Sequence, residues 1–425
     1  MGRFCYSISD VEPYQLEGLL YCYRKEAAEL RLDLLGELDE NELKNIICGN
    51  DEVCLICTYR LLPEDDPCYE DDLKRAMTLL TAAIMSGTDY IDLDVSFPAT
   101  SRDWLMHLAL NYCTRLIVSY HNPYGTESTE ALEAIARKCF AQGADIAKIV
   151  TLVRHPAEAQ RVLALYDKFS PETLIAFASG EMGTSSRLDS LEKGAPFCYM
   201  APRRDYDTAE GQLTLFELLG DNICLGRHDV AVIENEAGIK ERDWKEAALW
   251  LTAGAIAGEC AVCSMNPNSR QPARDILEVF YQTCVDAVYI EEGDNCESVT
   301  FSVRRSRIIP FSMDIEMDIL GPMLLLALKA DGISELYGYE KLGKKDKMRV
   351  NNFLHVLFAL GADLMIEKDI IIIRGSFENR LRGGVCSCYG DEEIAATLCA
   401  AALIADGAVT VEGTTPSWNL PIFVT

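Results

Sequence analysis

Over residues 1–220 the chain alternates short strand-like runs with helical stretches at a regular beat. This rhythm constrains the fold more than any single motif does. The strand candidates are "RFCYSIS", "AAELRLDLL", "EVCLICTYR", "DYIDLDVSF", "RLIVSYHN", "DIAKIVTLV", "TLIAFASG" and "PFCYMAP". Between them lie amphipathic stretches such as "DDLKRAMTLLTAAIMSG", "ESTEALEAIARKCFAQG" and "HPAEAQRVLALYDKF". Eight such units predict an α/β fold, a (β/α)8 TIM barrel, in which chemistry sits at the C-terminal ends of the strands.

Those strand ends are polar. Strand two carries Glu29, Arg31 and Asp33 at alternate positions, hence on one face. Strand three ends in Thr58 and Arg60, strand four in Asp92 and Asp94, and strand five in Ser119 and His121. Strand six places Lys148 inside the apolar run "GADIAKIVTL". A lysine is costly to bury as a cation, whereas a neutral buried lysine is a nucleophile. Taken singly, each residue is equally well read as an interior salt bridge or a solvated strand end. Together they predict a site.

Composition narrows the classes. A net charge of −28 argues against a general nucleic-acid or anionic-membrane surface. An anionic small substrate then needs arginine or lysine inside its pocket. The 17 cysteines fall largely in apolar strand and helix patterns, which predicts reduced, buried thiols and a cytoplasmic protein. The two C-x-x-C spacings, Cys54/Cys57 and Cys260/Cys263, lie in strand-like runs where i and i+3 face opposite ways, so no metal site is expected there. The N-terminus shows no signal-peptide pattern, and no apolar run reaches the ~18 residues of a membrane span.

The second half repeats itself. "AALWLTAGAIAGECAVCSMN", "PMLLLALKADGISELYGYEKL" and "IAATLCAAALIADGAVTVEGT" each read as an apolar helix, a glycine (Gly258, Gly332, Gly407) and a short strand. With the intervening helices and strands this predicts an α+β domain of βαβαββ repeats, helices inside and sheets outside. The third unit is unfinished. "HDVAVIENE" is expected to complete it, or its open edge to recruit another chain. The domains are read as 1–224 and 225–425.

In "ELRLDLL", "CTYR", "YIDLDV", "IVSYHN", "GADIAKIVTL", "FASGEMGTSSR" and "TAEGQ", in this order, the first half resembles a type I 3-dehydroquinate dehydratase. That resemblance implies a shikimate-pathway enzyme converting 3-dehydroquinate to 3-dehydroshikimate, a homodimer, with no metal and no organic cofactor. It implies a Schiff base on Lys148, His121 as general acid/base, and Asp94 where the family has a glutamate paired to the histidine. Glu29, Arg31 and Arg60 match residues that hold the substrate hydroxyls and frame the pocket. Arg187 matches the arginine that receives the carboxylate. Thr208 and Gln212 match a lid, in which Glu210 replaces the usual proline.

The second half resembles the C-terminal domain of enolpyruvylshikimate phosphate (EPSP) synthase, through the repeat and "NSRQ", "MDILGPMLLLALKADG", "KKDKMR", "FALGADL" and "VTVEG". It covers about half of that two-domain enzyme. Asp318, Lys345, Asp346 and Arg349 fall on functional positions of the family. Its Asp-His-Arg stretch is here Asp391-Glu392-Glu393, and two acids in place of an arginine repel phosphoenolpyruvate. Loss of synthase activity is expected. Two functions follow: an active dehydratase with an inactive appendage, or a non-enzymatic scaffold that only binds pathway metabolites.

Overall fold

A computed structural model of the chain describes residues 3–36, 38–202, 212–214, 223–234, 238, 240–292 and 298–413. It divides into two compact units, Met1–Leu218 and Leu219–Thr425.

The first unit has eight parallel strands: β1 (Arg3–Ile8), β2 (Ala27–Arg31), β3 (Cys54–Thr58), β4 (Tyr90–Asp94), β5 (Arg115–Asn122), β6 (Ile146–Leu152), β7 (Leu174–Ser179) and β8 (Phe197–Met200). Their hydrogen-bonded order is β7-β6-β5-β4-β3-β2-β1-β8. The parallel order requires a crossover between neighbours. Helices α1 (Pro13–Cys22), α2 (Glu40–Cys48), α3 (Tyr69–Met85), α4 (Ala99–Tyr112), α5 (Thr129–Ala141), α6 (Pro156–Leu163) and α7 (Ser186–Glu192) supply these crossovers.

Local chemistry sets the helix ends. Asp39 caps α2 by accepting from the backbone N–H groups of Asn41 and Glu42, while Glu42 reaches back to the N–H of Asp39. On α3 the spacing of Ala76, Leu79, Leu80, Ala83 and Ile84 makes one buried face. Helix α5 is stopped by Gly143, whose φ of 90° suits a residue without a Cβ.

The barrel interior has two layers. Cys5, Ala27, Cys54, Ile56, Tyr90, Ile117, Ile146, Ile175 and Phe197 belong to one apolar cluster. One strand step further towards the C-terminal ends, buried positions turn polar: Ser7, Glu29, Thr58, Asp92, Ser119 and Lys148. Among the described residues no ladder joins β7 to β8. Side chains close that seam instead, because Ile175 and Phe177 share the apolar cluster with Phe197 and Tyr199.

The second unit is a mixed α/β domain built on three buried helices, α8 (Trp244–Ala257), α10 (Leu320–Lys329) and α12 (Glu392–Ala402), which pack on one another, with α9 (Ile276–Gln282) and α11 (Lys344–Ala359) between them in the chain. Every residue of α10 is buried, so up to its terminal Lys329 its sequence is apolar on all sides rather than striped. Four-stranded sheets lie outside: β9 (Ile223–His228), β12 (Gly258–Met265), β13 (Asp286–Glu292) and β14 (Ser298–Arg304) in one; β15 (Ser312–Asp314), β16 (Ile333–Tyr337), β17 (Asp363–Glu367) and β18 (Ile370–Arg374) in the other. The third repeat contributes β19 (Gly384–Ser387) and β20 (Val409–Glu412) as a two-stranded parallel sheet.

The expectation that "HDVAVIENE" completes this third repeat is corrected. Its strand, β10 (Val232–Glu234), pairs antiparallel with the nearby β11 (Lys240–Arg242), a short closure that costs little entropy. The strand that does extend a repeat is β9, parallel to β12 of the first one.

Gly258, at the start of β12, explains the close approach of β9. A Cβ there would collide with the backbone of Ile223. Gly258→Ala should therefore destabilise the second unit by roughly 1–3 kcal/mol, the usual cost of overpacking. Urea unfolding followed through the buried Trp244 and Trp250 measures it, and an unchanged midpoint would exclude the contact.

Candidate active site

The polar layer of the barrel is organised around Lys148. Ile146 and Val150, two residues to either side on β6, lie in the interior cluster, so alternation points Lys148 inward as well. The side chain is buried, and its Nζ donates to Glu29 Oε1 at 3.1 Å and to Asp92 Oδ2 at 2.9 Å. Nζ also lies 3.7 Å from the centroid of the Tyr199 ring. The sequence suggested a lysine stranded in an apolar run; the structure instead gives it two buried carboxylates and an aromatic face.

Both acids are held in turn. Ser7 Oγ donates to Glu29 Oε2 at 2.6 Å, and Thr58 Oγ1 donates to Oε1 at 2.9 Å. Burial works against the charge of Glu29, but Lys148, Arg31 and the Ser7 hydroxyl outweigh it and bring its pKa down to about 2. Ser119 Oγ donates to Asp92 Oδ1 at 2.5 Å. Arg31 is engaged by Asp33 through two bonds of 3.0 and 2.6 Å.

His121, two residues beyond Ser119 on β5, stands nearer the mouth and is part-exposed. Arg60 lies against its ring, with Nη1 2.9 Å from Nδ1 and Nη2 2.9 Å from Nε2. A neutral imidazole accepts at only one nitrogen, so only one of these contacts is a hydrogen bond. Desolvation, then the Arg60 charge, pull the His121 pKa down to about 4. Asp94 Oδ2 is 3.8 Å from His121 Nδ1 and 3.2 Å from Arg60 Nη1. Asp94 thus reaches the histidine largely through the guanidinium. Burial opposes its charge, but His121, Ser96 and Arg60 lower its pKa to about 2.

Arg187 sits in the first turn of α7, behind β7, with its guanidinium 4.4 Å from the Phe177 ring centroid. It is only 2 % exposed, and its Nε and Nη2 are buried without a hydrogen-bond partner among the described residues. Burial lowers its pKa to about 10. An unpaired buried guanidinium is expensive, and an anion beside it would offset that cost.

These groups line one cavity of about 310 Å³, whose walls include Glu29, Arg31, Arg60, Asp94, His121, Lys148, Arg187 and Gln212. Of the predicted site residues, Thr208 lies outside the described residues, as does Glu210 of the lid. Five participants were missed as partners of Lys148 or its acids: Asp92, Thr58 and Ser119, read only as polar strand-end residues, and Ser7 and Tyr199, not singled out at all. Asp92 carried a usable signal, since it shares the inward face with Asp94. Among the described residues no group of three or more His, Cys, Asp or Glu side chains is placed to hold a metal ion. No helix there is long and apolar enough to cross a membrane.

Two family profiles match the chain: type I 3-dehydroquinase over residues 18–220, and EPSP synthase (3-phosphoshikimate 1-carboxyvinyltransferase) over residues 234–416. The 3-dehydroquinate dehydratase of Pyrococcus abyssi is 37 % identical over 190 residues, 45 % of this chain and 83 % of that protein. That of Desulfotalea psychrophila is 28 % identical over 226 residues, 51 % of this chain and 96 % of that one. The 3-phosphoshikimate 1-carboxyvinyltransferase of Brachyspira hyodysenteriae is 29 % identical over 210 residues, 47 % of this chain and 48 % of that protein. The chain thus spans about half the length of the synthase relative it matches. A segment matching the EPSP synthase profile follows the first unit, and through that first unit the chain belongs to the type I 3-dehydroquinate dehydratase family of hydro-lyases.

Proposed function

We propose that this chain dehydrates 3-dehydroquinate to 3-dehydroshikimate through an imine on Lys148, with His121 moving the protons. The observation that carries this reading is a buried lysine and an anion-ready arginine facing one small cavity. Lys148 passes a proton to one of its two carboxylates, its amine attacks the substrate ketone, and that proton returns as water leaves to give a protonated imine. Its positive nitrogen accepts electron density, which acidifies the adjacent C–H. His121 takes that proton and returns it to the departing hydroxyl. A histidine pKa near 4 leaves the ring neutral at pH 7, and its single lone pair takes the proton in the first of these steps once the Arg60 guanidinium turns away from it. Hydrolysis of the imine then releases product and restores the lysine.

Arg187 is the natural receiver of the substrate carboxylate, because a guanidinium binds a carboxylate through two parallel bonds. Arg31, Arg60, Glu29 and Gln212 frame the remaining walls and suit the substrate hydroxyls. Thr208 is proposed for the lid on resemblance alone. The family's habit supports a homodimer, and the largely apolar setting of the cysteines supports a cytoplasmic one. A scaffold that only binds metabolites would not need a nucleophile so fully enclosed.

For the second domain we infer no enolpyruvyl transfer. Arg349 is taken up by Asp391, at 2.6 and 3.1 Å, and by Glu393 at 2.8 Å. Lys245 is taken up by Asp318 at 2.6 Å and Glu393 at 3.1 Å. Internal carboxylates thus occupy cations that an anionic substrate would need.

Purified chain supplied with 3-dehydroquinate should generate the conjugated enone absorbance, while consuming no phosphoenolpyruvate in the presence of shikimate 3-phosphate. Lys148→Ala should abolish the absorbance change. Arg187→Ala should lower kcat/KM about 10- to 150-fold, since a charge-assisted hydrogen bond is worth roughly 1.5–3 kcal/mol. Activity in Lys148→Ala would refute the nucleophile.

The histidine is tested separately by NMR. His121 should titrate near pH 4, well below the ordinary 6.5. Arg60→Gln removes a neighbouring positive charge and should move the midpoint upward. A His121 midpoint at 6.5 in the wild type would contradict its arginine-covered setting.

A further inference from the structure

Lys148 Nζ lies in a three-sided cage. Glu29 Oε1 and Asp92 Oδ2 take two of its directions, at 3.1 and 2.9 Å, and the face of Tyr199 takes a third at 3.7 Å. Tyr199 stands on β8 opposite Cys5 of β1 and is 3 % exposed. Its ring is 6.2 Å from that of Phe177, which lies under the guanidinium of Arg187. The two cations least exposed in the pocket therefore each rest on an aromatic face. We propose that Tyr199 is a positioning residue for the dehydration, and that its ring face holds the charged nitrogen of Lys148 while the hydroxyl takes no part. The proposal rests on the reading of Lys148 as the imine-forming residue.

The physical argument separates the ring from the carboxylates. The nitrogen is positive twice, as the resting ammonium and as the protonated imine. A carboxylate stabilises that charge but can also accept its proton. An aromatic face attracts the charge through its quadrupole and has no lone pair to take a proton. It also closes one side of the cage, so that the new carbon–nitrogen bond leaves towards the cavity. The Tyr199 Oη is buried and has no hydrogen-bond partner among the described residues. Nothing among the described residues engages it, and deleting it should relieve an unsatisfied group.

The test uses the full chain and first establishes that borohydride fixes substrate on Lys148 in the wild type. If it does not, the imine reading fails, and the Tyr199 proposal falls with it. With that adduct in hand, Tyr199→Phe should keep kcat within about twofold. Tyr199→Leu should lower kcat by about 3- to 30-fold, with KM changed much less, the range expected for a desolvated cation–π contact. A series of phenylalanines of rising fluorination at position 199 keeps the volume while cancelling the quadrupole, so kcat should fall stepwise along it. This series answers the question even if the leucine variant fails to fold. A flat fluorination series would overturn the proposal, as would a Tyr199→Phe loss equal to that of Tyr199→Leu, which would assign the role to the hydroxyl.

Discussion

The ion triad of Lys148, Glu29 and Asp92 inside the barrel is the interaction on which the first unit turns. Taking three charges out of water is costly, and their mutual attraction offsets the cost only where the remaining lone pairs are satisfied. Here Ser7, Thr58 and Ser119 satisfy them from β1, β3 and β5. The triad thus draws on strands β1 to β6, and the register of each is fixed by the layer its polar residue must join. A one-residue slip would turn that residue out of the barrel. The apolar layer beneath and the polar layer above are two consequences of the same alternation.

Charge then decides what the pocket can receive. Arg31 is answered by Asp33, Arg60 by Asp94, and Lys148 by Glu29 and Asp92. Arg187 has no carboxylate among the described residues. Among the described cations of the pocket, Arg187 is thus the one to which an anion is welcome, in a chain of net charge −28. The second unit has gone the other way. Its Lys245 and Arg349 are closed by Asp318, Asp391 and Glu393, so what could have been an anion site is an internal clasp between helix ends.

Much of this was legible in the sequence, for a physical reason. A strand has period two, so Glu29 with Arg31, Asp92 with Asp94, and Ser119 with His121 declare a shared face without any structure. Which layer each joins is a matter of stagger between strands, and that is not written in any one strand. Hence Asp92 was seen as inward but not as the partner of Lys148. Tyr199 was invisible, because an aromatic on a barrel strand reads as core until a cation is found against its face. Arg187 lies on a short helix rather than on a strand and had no periodic signal; only resemblance pointed to it. In the second unit the evenly spaced glycines revealed the repeat. The pairing of β9 with β12 could not be read, because nothing in one strand names the partner across a sheet.

The central claim is that Lys148 is a nucleophile and not merely a structural cation. Borohydride added to the chain with 3-dehydroquinate, followed by digestion and peptide mass spectrometry, tests it most directly. The account predicts one reduced adduct, carrying the substrate skeleton, on the peptide containing Lys148. An adduct on a different lysine, or turnover with no trapped adduct at all, would contradict it.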